Sequence, residues 1–515
     1  MEIPAAEALV SPQVKALPAP DFRWLPDGLK MAVSGTGKHV QSRVLQGIEL
    51  ALCGWDFEAY RHFCVALAED PECLLAHWGI ALALVQPDPA TAAERTAAVE
   101  RMAELAHRRI GSELERGYAF CLLVYYRDGA ASAAESFRKL AAKFPNDPLP
   151  AIFAALLGRG GFDPFGQPNP DQERAERLLR PWVGRHADNP LLQHAWLLIR
   201  AESGAPAADL ERARALCRMA PEMPTFQHLL GHYEWRCGNF REAAAAFGRS
   251  TAIFEGWMKA EGIGPADCPG WVTAEAYRSV ALASAGDFDA ALAAARQLAA
   301  VPVEAKRVHA AGSRALLWEA RTLGARLLLA RGQPGDAAAG LATLPKPGSA
   351  GLFAEASDVR YFYQGLATVL EALAALEKRG VSRAGQLADA LTAHGTLMAE
   401  RRAKAEANGE LSEWRRGLDG LQVLASALRG DIAMAGPQGG RGSAYNWFLA
   451  ASDRQQPASM LLPPVVLEPM RARVGDYLRG VGRKDDAAEA YREALRAWPG
   501  NRRALAGLAA LGAQP

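Results

Sequence analysis

Six residues at fixed intervals occur twice in this chain, 428 residues apart. Gly47, Gly54, Ala59, Phe63, Ala66 and Pro71 are spaced by 7, 5, 4, 3 and 5, and Gly475, Gly482, Ala487, Tyr491, Ala494 and Pro499 repeat the series. Such a ruler describes two helices folded back on each other. Gly47 and Ala59 are small where the helices cross, and Gly54 ends the first helix in a left-handed turn that glycine adopts cheaply. Phe63 fills the gap between neighbouring hairpins, and Ala66 admits the next helix. Pro71 stops the second helix, since it has no N–H to give the preceding turn.

Weaker copies lie between the two. Leu230, Gly231, Gly238, Ala243 and Phe247 keep the ruler within 223–257, Gly286 and Ala291 within 272–299, and Gly332 and Ala337 within 313–343. Trp78-Gly79 opens a further unit whose second helix is displaced to 92–109 by the Gln86-Pro87-Asp88-Pro89 turn. A unit at 113–145 has Ala133 and Phe137 in place and Gly129 one residue late. Helices are expected at 171–187, 190–202 and 207–219, and, without the ruler, near 358–378, 381–406 and 410–429. The breaks are a 157–170 loop with Phe162 and Phe165, a 345–357 connection, and a long 430–464 loop. The last holds Gly436-Pro437-Gln438-Gly439-Gly440-Arg441-Gly442 and then Tyr445, Trp447 and Phe448. The expected division is a tail at 1–39 lying along the first repeat, a repeat array at 40–345, a helical region with the long loop at 346–466, and a last unit at 467–515. Its final helix, Arg502–Leu511, covers the end of the array, which has no neighbour to bury its apolar face.

The ruler resembles the tetratricopeptide repeat (TPR), a helix–turn–helix unit of ~34 residues. The resemblance implies an all-α fold, an α-solenoid of TPR-like hairpins in a right-handed superhelix, here with an irregular C-terminal third. The whole layout also resembles a bacterial family of TPR proteins, through Ala76-His77-Trp78-Gly79-Ile80-Ala81, the Met223-Pro224 start of the central unit, and Tyr491-Arg492-Glu493-Ala494-Leu495 with Pro499-Gly500-Asn501. That family's central His-Met-Pro-Ser-His-Ile reads Glu222-Met223-Pro224-Thr225-Phe226-Gln227 here. Both family histidines are absent, so a role tied to them does not carry over.

TPR proteins take their partners in the concave groove lined by the first helix of each pair. The groove positions fall six and three residues before the small residue, and one, four and five after it. In the central unit these are Thr225, His228, His232, Trp235 and Arg236, which together offer rigid apolar area and a guanidinium able to hold a carboxylate bidentately. In the first unit they are Gln41, Val44, Ile48, Ala51 and Leu52, mostly apolar and expected to be covered. Tyr118, Tyr125 and Tyr126 are further candidates, as are Tyr445, Trp447 and Phe448 if the long loop folds into the groove. The expectation is a non-catalytic scaffold that binds a peptide or protein. The alternative is a helical enzyme or a small-molecule or glycan binder using the same concavity.

Other chemistry finds little support. Ser34-Gly35-Thr36-Gly37-Lys38-His39 lacks the first glycine and the hydroxyl residue of a phosphate loop. His228 and His232 are four apart and share a helix face, yet Leu229 stands where a metalloprotease motif has its glutamate. No G-x-S-x-G or Cys/His pairing is present. No cofactor and no metal are expected. The 58 basic and 57 acidic residues give a net charge of +1, without the basic excess of a nucleic-acid surface. Cys53, Cys64, Cys73, Cys121, Cys217, Cys237 and Cys268 form no C-x-x-C pair, as suits buried thiols in a reducing compartment. With no secretory leader and no apolar run near ~20 residues, a cytoplasmic location is expected.

Overall fold

The residues of the ruler do in three dimensions what their spacing demands. Phe63 is fully buried, and a Cβ added to Gly47 would meet its ring at 2.7 Å. The same ring occupies the space beside Gly79, so one aromatic wedges between two successive first helices. Phe247 stands against Gly231 at 2.8 Å, and Tyr491 against Gly475 at 2.7 Å and against Gly507. Between the paired helices Gly54, Gly238, Gly286, Gly332 and Gly482 all take positive φ, from 62° to 98°. An L side chain there would be strained.

The computed structural model describes residues 12–35, 37–163, 166–346, 356–436 and 441–514. Thr36, Phe165 of the 157–170 loop, most of the 345–357 connection and residues 437–440 lie outside the described residues. The fold is all-α, an α-solenoid of TPR-like hairpins; among the described residues there is no strand, only an isolated bridge between Phe162 and Pro168. No helix among them is long and apolar enough to cross a membrane.

Two compact units are present. The first takes the described residues up to Phe162, with Pro168–Leu230 and Arg249–Gly270. The second takes Asp163–Gln167, Gly231–Gly248 and Trp271–Pro515. The division runs through two helices, Pro224–Arg236 and Phe240–Glu261, which contribute to both.

In the first unit, hairpins pair Lys38–Leu52 with Asp56–Glu69, Leu74–Ala83 with Ala92–His107, and Glu113–Asp128 with Ala130–Lys143. Leu149–Gly158, Pro170–Arg185, Pro190–Arg200 and Ala207–Met219 follow. The first of these four is a helix that the sequence reading passed over. Between Pro18 and Leu29 the chain is held by side chains of the first hairpin. The Arg23 N–H donates to Gln46 Oε1 (2.6 Å), the Leu29 N–H to Glu49 Oε1 (2.7 Å), and Arg61 Nη2 to the Pro18 carbonyl (2.8 Å).

The second unit continues with Pro269–Ala285 and Phe288–Ala300, then an uninterrupted helical run from Ala311 to Arg331 whose middle turn, Leu316–Ala320, is π-helical, and Asp336–Thr343. Val359–Glu377, Val381–Glu400 and Leu411–Ala435 match the three expected long helices. One expectation is corrected. Where a loop was read at 430–464, the Leu411–Ala435 helix runs on through Gly430, and Tyr445, Trp447 and Phe448 sit on a second helix, Gly442–Arg454. Gly430 is helical because the Phe448 ring fills the place of its missing side chain. It is a close-approach glycine, not a breaker. Residues 455–469 are irregular and lead into Met470–Gly480, Lys484–Ala497 and Arg502–Leu511.

Candidate functional site

The central face is more deeply packed than an open recognition surface. His232 is fully buried with its ring edge-on to Tyr277, 5.7 Å between centroids. His228, Trp235 and Arg236 are also buried, and Thr225 is half-buried. Trp235 donates from Nε1 to Ser284 Oγ (3.2 Å) and meets Trp498 edge-on at 5.3 Å. Of the five, Trp235 and Arg236 reach a cavity. Phe448 is buried beneath the Arg473 guanidinium (5.0 Å), Tyr445 packs on Tyr477, and Trp447 is 38% exposed beside Arg429. None of these three lines that cavity. Tyr118 is buried with its hydroxyl on Asp147, and Tyr126 donates to the Ala81 carbonyl (2.6 Å), so both serve packing within the first unit.

The ruler carries the groove positions into the next two repeats. Seven residues before Gly286 stands Ser279, which puts Thr273, Ala276, Val280, Ala283 and Ser284 on the groove side. Seven before Gly332 stands Ala325, which puts Glu319, Thr322, Arg326, Leu329 and Ala330 there. The outer positions of the three repeats in the second unit, Trp235 and Arg236, Ala283 and Ser284, and Ala330, line one cavity of about 840 Å³. The ends of the Lys484–Ala497 and Arg502–Leu511 helices close its other side with Trp498, Arg502 and Arg503.

Residues 459–466 run past these repeats, and side chains of the repeats and of the Leu411–Ala435 helix donate to one backbone carbonyl after another. Tyr277 Oη donates to the carbonyls of Ser459 and Leu462. Arg326 donates from Nε to Val465 (3.0 Å) and from Nη2 to Pro463 (3.3 Å) and Pro464 (2.5 Å). Arg416 donates to Pro463 as well. Glu319, on the π-helical turn and fully buried, accepts from both arginines at 2.5 Å, so one carboxylate is shared by buried Arg326 and partly exposed Arg416. Burial pushes the Arg326 pKa down, and the adjacent Glu319 opposes that. The Val465 side chain fills the space left by Gly420, and Ala458 joins the cluster around Tyr277 and Phe247.

The cavity itself mixes charge with aromatic surface. Arg331 lies over the Phe288 ring at 4.0 Å and pairs with Asp336 at 2.5 Å. Arg503 pairs with Glu468 and Asp476, and Asp287 caps the Phe288–Ala300 helix through the Ala290 N–H. Arg502 is exposed and makes no ion pair among the described residues; its guanidinium rests against Gly286. No three His, Cys, Asp or Glu side chains among the described residues converge as a metal would need.

Sequence reasoning missed Tyr277, Glu319, Arg326, Trp498 and Arg502. The first three carried a signal, because each belongs to a repeat whose turn glycine was in register. Trp498 and Arg502 carried none, since their place in the cavity is set by chain folding over more than 200 residues.

The spacing and the packing agree on the architecture. The chain is a TPR-like helical-repeat protein. No protein-family model matches it, and no curated protein matches it. Solved structures similar to it include a human IFIT1 dimer with m7Gppp-AAAA, 12% identical over 89% of this chain and 99% of that one, TM-score 0.35. The APC/C hetero-tetramer Cut9–Hcn1 is 13% identical over 81% and 92%, TM-score 0.24. The TPR domain of P58(IPK) is 12% identical over 92% and 97%, TM-score 0.19. Superpositions this loose carry no argument about activity or partner. The TPR-like reading stands on the chain's own hairpins.

Proposed function

We propose that this TPR-like chain is a non-catalytic scaffold that binds a peptide or protein partner on the groove side of its second unit. One observation carries the reading: Tyr277 and Arg326 of two adjacent repeats, with Arg416 of a later helix, hold an irregular peptide segment by its carbonyls. A surface able to bind backbone in this way suits peptide recognition, in which main-chain hydrogen bonds supply affinity and pockets for side chains supply specificity. The part of the groove left open is the cavity around Trp235, Arg236, Arg331, Trp498 and Arg502, and there we place the partner. Of the eight residues picked from the sequence, Trp235 and Arg236 are the ones proposed to touch it. The balanced charge supports a protein partner over nucleic acid, and the seven free cysteines, six of them buried, suit a reducing compartment such as the cytoplasm.

The test is affinity capture from the native host with the wild-type chain, Trp498→Ala and Arg502→Glu. Arg502 is exposed, so its variant is expected to melt with the wild type. A protein kept by the wild type and lost by both variants is the expected result. Equal retention by Arg502→Glu would remove the cavity from the interface. A small-molecule or glycan site is the second reading, favoured by a volume within the ~300–1,000 Å³ of such pockets and by the Trp235–Trp498 pair. It takes over if the wild type retains no protein.

A further inference from the structure

We propose that residues 457–468 are a tethered ligand, and that the partner presents a proline-containing apolar segment which replaces them in the groove. The inference rests on the scaffold reading above and adds the chemistry of what is bound.

The argument begins with what the groove reads. The hydrogen bonds named above go to carbonyls, at Ser459, Leu462, Pro463, Pro464 and Val465. The donors are Tyr277, Arg326 and Arg416. Such donors take nothing from a peptide N–H, so Pro463 and Pro464, which have none, suit them at no loss. Two prolines also fix φ in advance and reduce the order lost on binding. The C-terminal half is also read through its side chains, since Pro463 and Val466 are buried, Val466 within the core cluster around Trp318. Val465 enters the recess beside Gly420, and Ala458 packs on the Tyr277 cluster. Leu461 is 61% exposed, which leaves an apolar side chain in solvent on the segment's outer side.

The second step concerns how the segment is held. It is fixed at both ends, by the Gly442–Arg454 helix before it and the Met470–Gly480 helix after it. Gln455 pins the C-terminal end by donating to the Val466 and Glu468 carbonyls and accepting from the Met470 N–H (2.7 Å). Between those anchors it forms no helix and no strand, so its hold is the groove's hold. A tethered segment competes at an effective concentration of ~1 mM or above. An incoming peptide of the same chemistry is therefore masked until the tether is loosened.

The experiment uses the full chain with a fluorescein-labelled peptide of residues 457–468 and a scrambled peptide of equal composition. Val465→Asp places a carboxylate in the recess beside Gly420 and leaves Tyr277, Arg326 and Arg416 untouched. This variant is expected to bind the peptide at least tenfold more tightly than the wild type and to ignore the scrambled one. Adding Tyr277→Phe, which removes only the hydroxyl that reaches Ser459 and Leu462, is expected to return affinity severalfold toward the wild-type value. In the wild type, excess peptide is expected to speed hydrogen exchange at the Leu461, Leu462 and Val465 amides.

A Val465→Asp chain with wild-type helicity that binds neither peptide overturns the proposal, as does equal binding of both. A variant that dimerises through the freed segment also overturns it and assigns the groove to a second copy of this chain. If the variant does not fold, exchange in the wild type decides alone, and rates unchanged by peptide at several times ~1 mM overturn the proposal. Capture lost by Arg502→Glu together with an immovable segment would leave the scaffold reading in place and remove only the tethered ligand.

Discussion

Arg326 and Glu319 meet at 2.5 Å with neither side chain exposed, seven residues apart on one helical run. Glu319 belongs to the π-helical turn Leu316–Ala320, and such turns often mark functional positions in helices. Arg326 uses Glu319 for its charge and the 463–465 carbonyls for its remaining protons. Arg416 shares the same carboxylate from another helix. Two guanidinium groups, one carboxylate and one stretch of backbone thus form a single closed network.

Glu319→Ala is expected to destabilise the second unit by ~3–5 kcal/mol, the usual cost of leaving a buried charge without its partner. Replacing both residues by apolar ones of similar size, Glu319→Leu with Arg326→Met, is expected to recover part of that loss. Urea denaturation of the three chains at one pH measures both effects. A Glu319→Ala chain as stable as the wild type would mean that water reaches Arg326 and that the network is open.

Two glycines, Gly231 and Gly256, should respond in opposite ways. A Cβ at Gly231 would meet the Phe247 ring at 2.8 Å, so Gly231→Leu is expected to cost ~1–3 kcal/mol or more by overpacking. Gly256 lies within the Phe240–Glu261 helix, is exposed, and would place its Cβ within 4 Å of nothing. Gly256→Ala is expected to gain ~0.5–1 kcal/mol from helix propensity. Thermal melts of the two variants against the wild type check the pair, and loss of stability in Gly256→Ala would show that the surface of this helix is in use.

The hairpins were legible because their determinants are local and steric. A glycine, an aromatic and a second glycine at fixed spacing force one packing, and Phe63 with Gly47 and Gly79 shows it. Glycine was misread where its role was tertiary. Gly430 belongs to a helix because Phe448, eighteen residues on, takes its side-chain space, and nothing in the local sequence distinguishes that from a break. The candidate site was half legible for the same reason. Trp235 and Arg236 followed from the ruler, whereas the chain's return across the groove at 455–469 rests on contacts from Tyr277 and Arg326 nearly 140 to 185 residues away. Burial of His232 goes with its close packing against Tyr277.

Glu49 ties the chain before Lys38 to the first hairpin, and it does so as a buried acid. Its Oε1 accepts the Leu29 N–H at 2.7 Å, and burial raises its pKa to about 7. The folded first unit therefore holds a proton there more tightly than the unfolded chain does. The stability this group contributes is complete below its ordinary value near ~4.3 and is lost as pH rises through about 7. Glu49→Gln keeps an acceptor for Leu29 and removes the titration. Wild type and variant are expected to be about equally stable at pH ~5, and the variant to lead by about 1–3 kcal/mol at pH ~8. The difference between their urea midpoints across that range isolates Glu49 from His62, lowered mainly by burial to about 3. A difference that does not change with pH would mean that Glu49 does not titrate between pH ~5 and ~8.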